Sequence, residues 1–191
     1  APARPTRAWR VWVAVGAAVV VAVGAIALLG GFNTVPIEKL PVIELGDTYS
    51  GNEVDTSITG TYLTRVQPGY TFEADEGMQY FVVEATLVNT QDDTDVLDTG
   101  LVRILLGKEV YPSDPPDGVV KDGGFDLGFL QPGLEVHAQY FWKVPDSFRE
   151  GDDVVVGVFE RHLIDDPRYG GEVFSPGEPV ARVITTIGAT P

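Results

Sequence analysis

His137 and His162 are the only histidines of this 191-residue chain, which has no cysteine. Nucleophilic or metal chemistry would therefore centre on them or on carboxylates. A catalytic dyad needs a histidine within hydrogen-bond reach of a nucleophile and an orienting carboxylate. No serine stands in a nucleophile-elbow setting, and no His-x-x-x-His spacing turns two imidazoles toward one metal. His137 falls on the polar face of its segment beside Gln139, and His162 precedes Leu163-Ile164-Asp165-Asp166. We expect no catalytic residue, no cofactor and no enzymatic activity.

Carboxylates are the other source of chemistry. Asp92, Asp93, Asp95 and Asp98 crowd one turn region, Asp152 and Asp153 a second, and Asp165 and Asp166 a third. Calcium takes several carboxylates and carbonyls converging on one point. The first cluster is the candidate site, but it lacks a D-x-D-x-D-G loop, and acidic hairpin tips commonly serve solvation. Aromatic residues in long loops are candidates for partner binding. Tyr111 to Leu130 carries Phe125 and Phe129, and Arg168 to Phe174 carries Tyr169 and Phe174. Phe129 and Phe174 are expected to cap the ends of the fold, leaving Phe125 and Tyr169 as candidate partner-binding residues.

The elements that hold these residues follow from hydropathy. An uncharged apolar run extends from Val11 to Leu29, preceded by Arg4, Arg7 and Arg10. Roughly 20 such residues form a helix about 30 Å long, the thickness of a bilayer's hydrocarbon core. Signal-peptide cores are shorter, about 7–15 residues, and end in small residues, whereas this run ends Leu28-Leu29-Gly30-Gly31-Phe32. An uncleaved transmembrane helix over 11–30 is therefore expected. The arginines put residues 1–10 in the cytoplasm and the C-terminal part outside. Ala14, Ala18 and Ala22 recur every four residues, the small-residue face through which membrane helices approach one another. They are candidate contacts to other membrane proteins.

All 28 acidic residues follow the run, with ten of the 13 lysines and arginines, so the outer part carries ten positive against 28 negative charges. Nucleic acid is excluded as a partner, because phosphate binding requires clustered cations. Anionic headgroups are unfavoured partners for the outer domain for the same reason. A domain without disulfides needs a hydrophobic core, and about 140 residues suffice for one. The missing cysteines and the absence of an Asn-x-Ser/Thr sequon favour a bacterial source.

Residues 31–52, with Gly30-Gly31 at the helix exit and Pro36 and Pro41 within, read as a semi-extended juxtamembrane stalk. From residue 53 to 191 the pattern is two-residue alternation broken by Gly, Pro, Asn and Asp. Over 54–66, Val54, Thr56, Ile58, Gly60, Tyr62, Thr64 and Val66 are expected on one face. Phe81, Val83, Ala85 and Leu87 share another, opposite Glu84 and Thr86. Val102, Ile104 and Leu106 alternate with Arg103 and Leu105. Over 134–144, Val136, Ala138, Tyr140, Trp142 and Val144 oppose Glu135, His137, Gln139, Phe141 and Lys143. Strands over 153–160 and 180–187 complete about seven. These predict an all-β domain, an immunoglobulin-like antiparallel β-sandwich preceded by one N-terminal transmembrane helix.

Gly77-Met78-Gln79-Tyr80-Phe81-Val82-Val83-Glu84-Ala85-Thr86-Leu87-Val88-Asn89-Thr90 resembles the G-x-x-(F/Y)-hydrophobic run of DUF4352-type domains. Phe129-Leu130-Gln131-Pro132-Gly133, the strand to Trp142 and Lys143-Val144-Pro145 resemble a second segment of that family, in the same order. The resemblance covers roughly 54–165 and departs over 165–191 and in lacking a lipidation cysteine. It implies an immunoglobulin-fold bacterial exported or membrane-anchored domain, here of the actinobacterial single-span type, and carries over no catalytic residue. The expectation is a single-pass extracytoplasmic interaction module, an accessory or assembly subunit beside other membrane proteins. The alternative is a stand-alone surface module binding a ligand or calcium.

Overall fold

The computed structural model describes residues 39–105, 116–121, 128–166 and 171–189, with the backbone alone over 162–166 and 171–176. The chain divides between Thr34 and Val35, and every described residue belongs to the second unit, Val35–Pro191. Residues 11–30 with Ala14, Ala18 and Ala22, and Phe125 and Tyr169, lie outside the described residues. Among those described, no helix is long and apolar enough to cross a membrane.

Eleven strands follow in order: β1 (Val42–Ile43), β2 (Thr48–Tyr49), β3 (Val54–Thr64), β4 (Met78–Asn89), β5 (Asp95–Val96), β6 (Val102–Ile104), β7 (Gly118–Lys121), β8 (Phe129–Leu130), β9 (Glu135–Pro145), β10 (Asp153–Asp166) and β11 (Gly171–Thr186). One sheet has the order β2-β3-β4-β9-β7 and the other β1-β11-β10-β6, while β5 and β8 form a separate ribbon. Pairing is antiparallel except between β1 and β11.

Two-residue alternation explains the sandwich. Phe81, Val83, Ala85 and Leu87 of β4 and Val136, Ala138, Tyr140, Trp142 and Val144 of β9 point inward. They meet Val102 and Ile104 of β6, Val154, Val156 and Val158 of β10, and Ala181 and Val183 of β11. Phe81 pairs across the ladder with Trp142, their ring centroids 6.0 Å apart. Each large side chain buried this way contributes about 1.5–3 kcal/mol, which is how a domain without cysteine holds together.

Four expectations are corrected. In β3 the register shifts between Ile58 and Gly60, with Ile58 opposite Ala85 and Gly60 opposite Glu84. Thr59 is the extra residue of a bulge, and one extra residue inverts a period of two. Val54 and Ile58 face the central core, whereas Tyr62 joins a second cluster on the opposite face with Tyr80, Val82 and Phe141. The face expected to be continuous from Val54 to Val66 is thus split.

From residue 39 onward, the segment expected to be a stalk belongs to the domain. Leu40 is buried against Leu105 and Phe159, β1 pairs with β11, and β2 pairs with β3. The expected long loop from Tyr111 to Leu130 contains β7, which borders β9, and β8, which pairs with β5. Phe129 caps nothing: it is 61% exposed, opposite the exposed Val96.

Candidate functional site

The outer face of the five-stranded sheet gathers the polar residues that the core excludes. Pairing of β4 with β9 sets Thr86 opposite His137 and Glu84 opposite Gln139. Ala85, Leu87, Val136 and Ala138 point into the core, so these four side chains point outward. The Thr86 hydroxyl lies 3.1 Å from His137 Nδ1, and His137 Nε2 lies 3.3 Å from Glu135 Oε1. Gln139 Nε2 donates to Glu84 Oε1 at 3.4 Å. The β3 bulge presents Thr59 on the same face. A Cβ on Gly60 would come within 3.0 Å of Glu84 Oε2, so a larger residue there would make that flexible carboxylate shift slightly. Thr59, Glu84, His137 and Gln139, with Ala85 and Ala138 between them, line an open depression of about 310 Å3.

Hydroxyl, imidazole and carboxylate stand here in the order used by nucleophilic catalysis. The environment differs. The His137 and Glu135 side chains are 62% and 60% exposed, and water screens such a pair and competes for its hydrogen bonds. The arrangement suits hydrogen bonding to a ligand better than proton transfer in a dry site. The alternation placed His137 on the polar face beside Gln139. Its juxtaposition with Thr86 depends on register between distant segments.

At one end of the sandwich lies a buried charge cluster. The Arg161 side chain, 1% exposed, reaches Asp95 of β5 and, at 3.4 Å, Glu53. Beside it Glu160 accepts from the Tyr49 hydroxyl at 3.0 Å and from Asn52 Nδ2 at 3.3 Å. Burial, followed by the Glu160 hydrogen bond and charge, raises the Tyr49 hydroxyl above its ordinary value. The Tyr140 hydroxyl donates to the Asp98 carbonyl at 3.1 Å. Burial, reinforced by the Asp98 charge, drives it far above the ordinary tyrosine range.

This cluster determines the surroundings of the candidate calcium ligands. Asp95 is engaged by Arg161, Asp98 Oδ1 accepts the Gly100 N–H at 2.7 Å, and Asp92 and Asp93 are exposed. The four are not brought together. Among the described residues, no three carboxylates or histidines converge in a way that could hold a metal ion.

A third feature was not anticipated. Between β3 and β4 the chain forms a short hairpin in which Val66 bridges Glu73, Gln67 N–H donates to the Phe72 carbonyl at 2.8 Å and Ala74 N–H to the Arg65 carbonyl at 2.8 Å. Pro68-Gly69 turns it, with Gly69 at φ +75° and Tyr70 N–H donating to the Gln67 carbonyl at 3.0 Å, a type II turn. At its tip the Tyr70 and Phe72 rings stack at 6.0 Å. Phe72 is 65% exposed, Val66 42% and Tyr70 37%. Pro-Gly after an apolar strand was the available signal; that the apolar residues face solvent was not legible.

The architecture defines the class: an all-β domain of two facing sheets, a β-sandwich. No family model matches the chain, and no curated protein does. Two solved structures are similar. An uncharacterized β-sandwich protein from Clostridium difficile 630 aligns at TM-score 0.47 and 12% identity, over 78% of this chain and 94% of that one. A candidate lipoprotein from Bacillus subtilis subsp. subtilis str. 168 aligns at TM-score 0.42 and 11% identity, over 73% of this chain. This chain spans 38% of the length of that lipoprotein.

Proposed function

We propose that the protein is a membrane-anchored extracytoplasmic interaction module, an accessory or assembly subunit beside other membrane proteins, with the N-terminus cytoplasmic and the sandwich outside. The apolar run over 11–30 and the arginines before it support the anchor and its orientation. Strand order favours an immunoglobulin-like member of the sandwich class. β3-β4-β9-β7 facing β6-β10-β11 corresponds to the ABED and CFG sheets of that fold. The two segments that resemble DUF4352-type domains form β4 and the β8–β9 region, and kinship with that family is part of the proposal. The role proposed is binding rather than catalysis.

One observation carries the reading: the rigid, uncharged hairpin tip with Val66, Tyr70 and Phe72 turned to solvent. Aromatic anchors held in a fixed conformation lose little entropy on docking and dominate interface energetics. The exposed acids Glu73 and Glu76 at its base, beside Asp75 paired with Lys143, favour a partner pocket with basic walls. A photo-crosslinking amino acid at position 72 of the full-length protein in intact cells tests this. A discrete adduct, lost when the crosslinker sits instead at exposed Leu134, is the expected result. Equal labelling at the two positions would refute the reading, and extraction of the chain by alkaline carbonate would refute its anchored part.

A further inference from the structure

The depression on the outer face of the five-stranded sheet is a separate feature from the hairpin tip, and the two stand or fall independently. Three neighbouring strands contribute to it. β3 supplies Thr59 at the bulge, β4 supplies Glu84, and β9 supplies His137 and Gln139. Bulges re-aim side chains and recur beside functional sites. Here the bulge turns an exposed hydroxyl toward the hydrogen-bonding row, while Gly60 leaves space for the Glu84 carboxylate. At about 310 Å3 it is at the small end of ligand sites, roughly 300–1,000 Å3.

The chemistry of the wall narrows the ligand. Glu84, with Glu135 next to His137, opposes an anion, and among the described residues no lysine or arginine lines the depression. Ala85 and Ala138 turn their methyls into the core and offer backbone here, so among the described residues little apolar surface awaits an apolar ligand. Glu84 accepts, Gln139 and Thr59 both donate and accept, and His137 joins by exchanging its solvent-exposed contacts to Thr86 or Glu135 for a ligand hydroxyl. An ammonium ion only donates and would leave the amide and hydroxyl donors unmatched. A sugar hydroxyl does both. We infer that this face binds a neutral saccharide, with Glu84 and Gln139 taking adjacent ring hydroxyls and Thr59 and His137 a further pair.

Amide NMR of the full-length chain in phospholipid nanodiscs tests the inference, with cellohexaose, maltohexaose and chitohexaose as probes and spermidine and inorganic phosphate as controls. One hexaose is expected to shift the amides of Thr59, Gly60, Glu84 and Gln139 saturably, with a dissociation constant of millimolar or below. Glu84→Ala and Gln139→Ala, both on the solvent face, should each weaken that binding about tenfold at unchanged melting temperature. Histidine imidazole shifts report His137 directly should either variant alter the amide spectrum. Silence with all three hexaoses, equal affinity in the variants, or saturable shifts with spermidine or phosphate instead would each overturn the inference.

Discussion

The guanidinium of Arg161 on β10 is buried against the carboxylate of Asp95 on β5, fastening the β5–β8 ribbon to the end of the four-stranded sheet. β5 has only two residues and pairs with a two-residue partner, so its ladder hydrogen bonds alone would hold it weakly. The ion pair, with Glu53 as second carboxylate, adds to the hold exerted by Asn89, which donates to the Asp93 and Leu130 carbonyls, and by the buried Leu97 and Leu130.

Arg161→Ala leaves Asp95 and Glu53 facing each other without a cation. A loss of about 3–5 kcal/mol is expected, the usual cost of removing one partner of a buried pair. It should appear as a lower urea midpoint at unchanged slope. Replacing Arg161 and Asp95 together by Met and Leu should recover most of the loss; equal destabilisation in the single and double variants would refute the clip.

Stability should fall at alkaline pH through Tyr140. The folded state keeps the phenolic proton well above the ordinary value of 10.0, whereas the unfolded chain releases it there. Above pH 10 the unfolded state therefore binds fewer protons than the folded one, and unfolding gains ground as pH rises. The contribution is fully present below pH 10, and Tyr49 acts in the same direction. Tyr140→Phe should flatten the decline and cost about 1 kcal/mol at pH 7 through the lost Asp98 hydrogen bond. Urea titrations at pH 7 to 11 measure both.

Leu40→Ala tests where the domain begins. Leu40 is buried between Leu105 and Phe159, and its truncation should cost at least about 2 kcal/mol. A free stalk residue would show no change in the denaturation midpoint.

Gly118 lies beneath the Phe141 ring, and a Cβ there would come within 2.6 Å of Cζ. Phe141 is held edge-on against Tyr80 and cannot swing away at no cost. Gly118→Ala should destabilise by about 1–3 kcal/mol, read as a lower melting temperature with the sheet spectrum intact.

Tyr70→Ser with Phe72→Ser should leave stability within about 0.5 kcal/mol, as for exposed substitutions generally. The same pair should abolish the adduct formed by a crosslinker placed at the neighbouring position 67. A large stability loss would make the tip part of the core, contrary to its exposure.

The strands of the sandwich were legible where alternation is uninterrupted. The inward residues of β4 and β9 could be named one by one because every second residue of a strand shares a face. β3 was misassigned beyond Ile58 because no local feature marks Thr59 as the inserted residue; its bulge exists only against the register of β4. β1, β2, β5, β7 and β8 escaped because strands of two to four residues rarely show a period, whereas three-residue β6 was legible because its apolar alternation ran on through Leu106. His137 was placed correctly on the polar face, while Thr86 and Glu84 became its neighbours through pairing alone.

Composition and periodicity by themselves settled that the chain beyond residue 53 is an acidic, disulfide-free sheet protein, since charge and alternation are properties of neighbours along the chain. Tertiary structure alone decided which carboxylate meets Arg161, where the domain begins and which polar residues surround the depression. Each of those depends on contacts between residues some 50 to 140 positions apart. Such contacts are selected by the fit of whole sheets, and no local pattern encodes them.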